Sequence, residues 1–154
     1  MFKNILVPTD GSPQSESAVR RVVTFAKEAG ARITAFHVKP VYSSSSTPGD
    51  PALNDSLASS QLTTPDEFEV IAEKRAQEIL SFVDTLCKEV GVPCTKQTET
   101  NDSIHEAIIY AAKQNGCDLI FMASHGHKGL KSLLLGSETN KVLVHTTIPV
   151  LVYR

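Results

Sequence analysis

The sequence predicts a single-domain α/β fold, an open sheet of five parallel strands with helices on both faces. Three observations predict it. Short apolar runs alternate with helix-period stretches along the chain, turn residues bound each run, and 154 residues fit one domain with a self-sufficient core. Parallel strands need helical crossovers, so this alternation points to a covered parallel sheet.

The first apolar run, Ile5-Leu6-Val7, reads as a strand buried on both faces and ended by Pro8-Thr9-Asp10-Gly11. A helix should follow, capped by Ser12, with Pro13 at its first position and Gly30 as a left-handed C-cap. Its inward stripe is Ala18, Val19, Val22, Val23, Ala26 and Ala29. Ile33 to Val38 is the second strand. Residues 40–64 interrupt the rhythm with a serine run, three prolines and no apolar period. They are expected to form a long flexible insertion within a domain spanning 1–154, or a lid over a ligand.

Thr64-Pro65-Asp66-Glu67 has the form of a capping box. The helix it opens carries Phe68, Ile71, Ala72, Ala76, Ile79, Val83 and Leu86 and ends near Gly91. A weak strand is expected at Cys94 to Thr98. Ser103-Ile104-His105-Glu106 reads as a second capping box, opening a helix with Ile104, Ala107, Ile108, Ala111 and Ala112 inward. Leu119 to Ala123 is the fourth strand, Glu138 to Val144 a helix, and Val150 to Tyr153 the final strand.

Hydrophobic residues make up 41% and charged residues 21%, with a formal net charge of −2. No global basic field argues for nucleic acid or an anionic membrane. The opening apolar run is too short for a secretory signal, and no stretch approaches a membrane span. Cys87, Cys94 and Cys117 are odd in number and widely spaced, which fits reduced, buried thiols in a cytoplasmic protein. His37, His105, His125, His127 and His145 share no metal-ligand spacing with carboxylates or cysteines. Ser124 beside His125 lacks the surrounding nucleophile elbow, and adjacent side chains rarely face each other.

In open parallel sheets ligands sit beyond the carboxyl ends of the strands, where strand order changes direction. Two loops qualify: Pro8 to Ser12 and Ala123 to Ser137. The second contains Gly126, Gly129 and Gly136, whose bare backbone lets amides converge on an anion, and it leads into a helix N-terminus. Ser137 and Thr139 add hydroxyls, and Lys128 or Lys131 positive charge. It is not a Walker loop, because no GK[ST] follows at the required spacing, and no GxGxxG is present.

Val7-Pro8-Thr9-Asp10-Gly11-Ser12, Ala35-Phe36-His37-Val38, Met122-Ala123-Ser124-His125-Gly126, Leu134-Leu135-Gly136-Ser137, Val142-Leu143-Val144-His145 and Ile148-Pro149-Val150-Leu151-Val152-Tyr153 occur in that order. Together they resemble the universal stress protein family over nearly the whole chain. The resemblance implies a Rossmann-like, adenine nucleotide alpha hydrolase-like fold. It also implies the nucleotide motif of glycine, two residues, glycine, nine residues, then glycine with serine or threonine. Gly126 and Gly136-Ser137 match it; Ala123 replaces the first glycine. An alanine methyl costs little there at ordinary backbone angles and more at a positive φ.

The roles implied by resemblance place Pro8, Thr9 and Asp10 at the base and ribose, with the Asp10 carboxylate accepting from sugar hydroxyls. Val38 would present backbone to the adenine edge, and Met122 would pack near the base. Backbone from Ala123 through Ser124, His125, Gly126, His127, Lys128 and Gly129 would wrap ribose and phosphates. Gly136, Ser137, Glu138 and Thr139 would complete a phosphate cup. The bland readings are that Asp10 caps a turn, Thr9 is a satisfied turn hydroxyl, and Met122 is core.

The function implied is an ATP-binding regulatory module of the stress response, holding ATP, ADP or AMP with or without Mg²⁺. Hydrolysis is expected to be slow, since no residue is evidently placed to orient water and no arginine finger is present. The alternative is a nucleotide-independent dimeric scaffold regulated by phosphorylation. The resemblance further implies a homodimer through Val150, Leu151, Val152 and Tyr153, an edge strand whose backbone invites another. Leu151→Pro is the perturbation that the sequence suggests for it.

Overall fold

A computed structural model describes residues 1–43, 64–126 and 135–154. The described elements are β1 (Asn4–Pro8), α1 (Pro13–Ala29), β2 (Arg32–Lys39), α2 (Pro65–Val90), β3 (Cys94–Thr100), α3 (Ile104–Gln114), β4 (Leu119–Ala123), α4 (Ser137–His145) and β5 (Val150–Tyr153). The five strands form one parallel sheet in the order β3-β2-β1-β4-β5. The order reverses between β1 and β4, which puts the two predicted loops at the switch point.

Helix ends follow local chemistry closely. Ser12 accepts from the Ser15 amide, Pro13 opens α1, and Gly30 closes it at φ 65°. Thr64 and Glu67 form the predicted reciprocal box at α2, and Gly91 closes that helix at φ 78°. The apolar stripe of α1 and the Leu80, Val83 and Cys87 stripe of α2 pack with Ile5, Val7, Ile33, Phe121 and Ala123 on one face of the sheet. Ala107, Ile108, Ile109, Ala111 and Ala112 of α3 and Val142 of α4 pack with Leu6, Phe36, Ile120 and Met122 on the other. The central strands are buried on both faces, which explains their unbroken apolar runs.

Four expectations are corrected. The second capping box does not form: no side chain caps α3 at Ser103. The His105 amide donates instead to Glu138 Oε2 at 3.1 Å, a carboxylate 33 residues away. Ile104 at the start of α3 is 42% exposed, and Ile109 takes the inward place. Cys94 is half-buried at the head of an edge strand, unlike Cys87 and Cys117. Strand β3 runs two residues beyond Thr98, paired throughout with β2.

Of the expected 40–64 insertion, residues 44–63 lie outside the described residues. Where the chain leaves β2, Tyr42 meets Phe68 edge-on with ring centroids 5.4 Å apart. Lys39, nearly buried, reaches Glu69 at 3.0 Å and Glu73 at 2.8 Å. The Glu73 hydrogen bond in particular holds the Lys39 ammonium above its ordinary pKa. These contacts pin the first turns of α2 over the end of β2. No described helix is long and apolar enough to cross a membrane.

Candidate functional site

Proline creates the opening in the sheet. Strands β1 and β2 stay in register to Pro8↔Phe36, and β4 and β5 to Ala123↔Tyr153. Between them, β1 and β4 pair only at Ile5↔Leu119 and Leu6↔Ile120. That register asks position 8 to donate the next hydrogen bond to the Phe121 carbonyl, and proline has no N–H. The strands therefore part beyond Leu6 and Ile120, leaving a crevice between Pro8–Gly11 and Ala123–Gly126.

On the β1 side, turn chemistry fixes the polar groups. The Thr9 amide continues the ladder to the Phe36 carbonyl at 2.9 Å, and its hydroxyl accepts from the Gly11 amide at 3.3 Å. The His37 ring, buried, lies 2.8 Å through Nδ1 from the Thr9 carbonyl. A carbonyl only accepts, so Nδ1 carries the proton. Asp10 Oδ1 accepts from the Ser12 amide at 2.9 Å and the Ser15 hydroxyl at 2.8 Å. The other carboxylate oxygen lies so close to Gly126 that a Cβ there would run into it. Asp10 is thus both a turn cap and a wall of the crevice.

On the β4 side, Ala123 lies within a regular strand and has no positive φ, so its methyl carries no backbone strain. The methyl is buried with the α1 and α2 layer. The Gly136 amide donates to the Ser124 carbonyl at 2.7 Å and closes the neck of the loop. A Cβ on Gly136 would stand 3.0 Å from that same carbonyl oxygen. Ser124 Oγ and His125 Nδ1 are 3.0 Å apart, so these neighbours do face each other, against the expectation.

Three groups of the expected phosphate cup have partners within the protein. The Gly136 amide is already committed to Ser124. The Thr139 hydroxyl, buried, donates to the Ala123 carbonyl at 3.0 Å and ties α4 to β4. The Glu138 carboxylate lies between the His105 amide of α3, which donates to one oxygen, and Lys141 of its own helix, 3.3 Å from the other. What remains is the first turn of α4, which no described side chain caps. The α1 and α2 termini are capped by Ser12 and Thr64, and Glu138 serves α3. The amides of Ser137, Glu138 and Thr139 open α4 beside the crevice, with a partial positive charge for an anion.

The structure therefore brings together Pro8, Thr9, Asp10, Ala123, Ser124, His125, Gly126, Gly136, Ser137, Glu138 and Thr139. Met122 is core, packed under α3 and α4, and the Val38 side chain packs against the same layer. His127, Lys128 and Gly129 lie outside the described residues, as does Leu134. Ser15 and His37 were not anticipated. Ser15 sits one turn into α1, where an acid before a Ser-rich first turn is the available signal; nothing local marks His37, whose partner is 28 residues away.

The family model described as the universal stress protein family matches residues 1–154. Universal stress protein YxiE of Bacillus subtilis is 33% identical over the full length of both chains. Universal stress protein MJ0577 of Methanocaldococcus jannaschii is 31% identical, covering all of this chain and 96% of its own. The solved MJ0577 structure superposes with a TM-score of 0.77 at 27% identity, over 99% of this chain and 95% of that one. A universal stress protein solved in complex with cAMP shares the fold, with a TM-score of 0.68 at 22% identity, over 99% of this chain and 97% of that one.

Proposed function

The chain belongs to the universal stress protein family, and we propose that it is a cytoplasmic regulatory module that binds an adenine nucleotide, ATP foremost, in the β1–β4 crevice. The single observation that carries the reading is the parting of β1 and β4 at Pro8, with Asp10, the Gly126 backbone and the α4 terminus, which no described side chain caps, on its rim. A sugar diol suits a fixed carboxylate acceptor, and phosphate suits bare amides at a helix start. The cAMP complex of a protein with this fold is consistent with that ligand class. Glycine at 126 and 136 lets the Asp10 carboxylate and the Ser124 carbonyl pack directly against backbone, since a Cβ at either position would meet them.

On this reading Asp10 and Thr9 hold the ribose end, and backbone from Ala123 to Gly129 follows the phosphates. Val38 supplies backbone to the base. Ser137, Glu138 and Thr139 act through their amides, with the Ser137 hydroxyl as a further donor. Any Mg²⁺ would arrive on the phosphates. No described side chain is placed as a general base for water, so hydrolysis is slow. Calorimetric titration with ATP, AMP and cyclic AMP tests this: saturable binding of one nucleotide per chain is expected. Absence of heat at millimolar nucleotide would falsify the reading.

The same reading includes a homodimer through β5, the other edge of the sheet. The hydrogen bonds fix which residues face outward. Ile120 donates to Pro149 and Ser124 to Tyr153, so the alternation turns Leu151 toward β4 and Val150 and Val152 toward the free edge. Leu151→Pro would break the sheet itself. Val152→Pro removes an outward donor alone, and sedimentation should show its dimer weakened about 10-fold or more, roughly the worth of one or two hydrogen bonds. An unchanged dimer would place the interface elsewhere.

A further inference from the structure

Strand β2 turns alternate backbone groups to its two neighbours. Ile33 donates to Pro93 on the β3 side, whereas Arg32 donates to Lys3 and Phe36 accepts from Thr9 on the β1 side. The even-numbered residues therefore face β1, and Val38 presents both its amide and its carbonyl to that side. The same register, carried on from Arg32 and Lys3, asks the Val38 amide to donate to the Thr9 carbonyl. Pairing of β1 with β2 ends one step earlier, at Pro8↔Phe36. The Thr9 carbonyl is met instead by Nδ1 of His37 at 2.8 Å. Among the described residues the Val38 amide has no partner on that side.

The side chain that intervenes is firmly placed. His37 is 7% exposed. Strand alternation puts it on the sheet face that carries Ile33 and Ala35, while Phe36 and Val38 turn to the other. Its single bond has two consequences for the turn. It holds the peptide plane whose nitrogen belongs to Asp10, the residue whose carboxylate is fixed in turn by the Ser12 amide and the Ser15 hydroxyl. It also gives the Thr9 carbonyl a donor from a side chain, in the place where the ladder would have used a strand amide.

We propose that His37 is a positioning residue for base selection: by holding the Thr9 carbonyl out of the ladder, it leaves the Val38 N–H beside the Val38 C=O as a donor–acceptor pair for adenine. The inference rests on the nucleotide reading of the crevice and adds the reason that the base end is open. Adenine offers a ring-nitrogen acceptor next to an amino donor, which the N–H and C=O of one residue meet together. Guanine carries an oxygen acceptor where adenine has that donor, so two acceptors would face each other at the Val38 carbonyl. His37 acts through the main chain rather than on the ligand.

Amide hydrogen exchange followed by NMR on the full chain, without and with ATP, tests this together with calorimetric affinities for ATP and GTP. In the nucleotide-free parent the Val38 amide should exchange much faster than that of Phe36, which lies within the paired register, and saturating ATP should slow it. In His37→Leu the Thr9 carbonyl loses its donor, the ladder gains one bond, and the Val38 amide should be protected without nucleotide. The preference for ATP over GTP should fall about 10-fold in that variant, roughly the worth of one hydrogen bond. His37→Asn keeps a donor at the δ position and should restore both the exchange pattern and the preference. A Val38 amide as protected as Phe36 in the free parent overturns the proposal, whether or not any variant folds. So does His37→Leu with the parent's ATP-to-GTP ratio, since general damage to the fold lowers both affinities together. A parent chain that binds neither nucleotide overturns base selection along with the nucleotide reading. The exchange pattern of the free chain tells that result apart from failure of the His37 contact.

Discussion

Gly126→Val is expected to weaken nucleotide binding sharply and to destabilise the chain at once. The φ at Gly126 is not positive, the positive-φ glycines among the described residues being Gly11, Gly30, Gly91 and Gly116, so the penalty is steric. A Cβ at 126 runs into the Asp10 carboxylate. That carboxylate cannot swing aside freely, because its other oxygen holds the Ser12 amide and the Ser15 hydroxyl. Overpacking of this kind costs about 1–3 kcal/mol, which thermal melting should show as a fall of about 2–4 °C for each kcal/mol in a chain of this size. The same cost carried into binding is a loss of roughly 5–150-fold in affinity by calorimetry. Combining it with Asp10→Ala separates the two effects. Stability should recover toward that of Asp10→Ala alone, because the clash is gone and the costs are not additive. Affinity should stay low, because the ribose acceptor is gone too. Recovery of neither would locate the steric conflict away from Asp10.

What could be read from sequence was mostly local. Ser12, Pro13 and Gly30 fix α1 within a few residues of each signal, and the Thr64–Glu67 box does the same for α2. The runs at β1, β4 and β5 were legible because a parallel sheet buries both faces of a strand. Proline at position 8 was readable as a stop, though its effect on β4 depends on a register that sequence does not contain. The failures are long-range competitions. Ser103 and Glu106 have the right spacing for a box, yet Glu138 reaches the His105 amide from another helix. Thr139 was assigned to phosphate by its place at a helix entrance, and the Ala123 carbonyl takes its proton instead. Lys39 sits in a strand that reads as apolar, nearly buried, because two glutamates one turn apart on α2 meet it. In each case the partner lies 16 or more residues away, where periodicity and capping rules say nothing.

Thr139→Val is expected to have the second largest effect, and it asks whether the start of α4 matters to binding. The register leaves the Ala123 carbonyl facing the crevice rather than a strand, and the Thr139 hydroxyl is the group that satisfies it, at 3.0 Å. Valine matches threonine in shape, so the change removes the donor and little else. A buried carbonyl left unpaired costs about 1–3 kcal/mol, which urea unfolding should register as a lower midpoint with an unchanged slope. With that tether cut, the α4 terminus loses its only side-chain link to the end of β4 among the described residues. The amides of Ser137 and Glu138 then no longer hold their position over the crevice, and phosphate-bearing nucleotides should weaken by roughly 10-fold while adenosine changes little. Thr139→Ser keeps the hydroxyl and should restore both stability and affinity to near the parent values. A valine variant that is destabilised but binds ATP with undiminished affinity would show that the phosphates do not rest on the start of this helix.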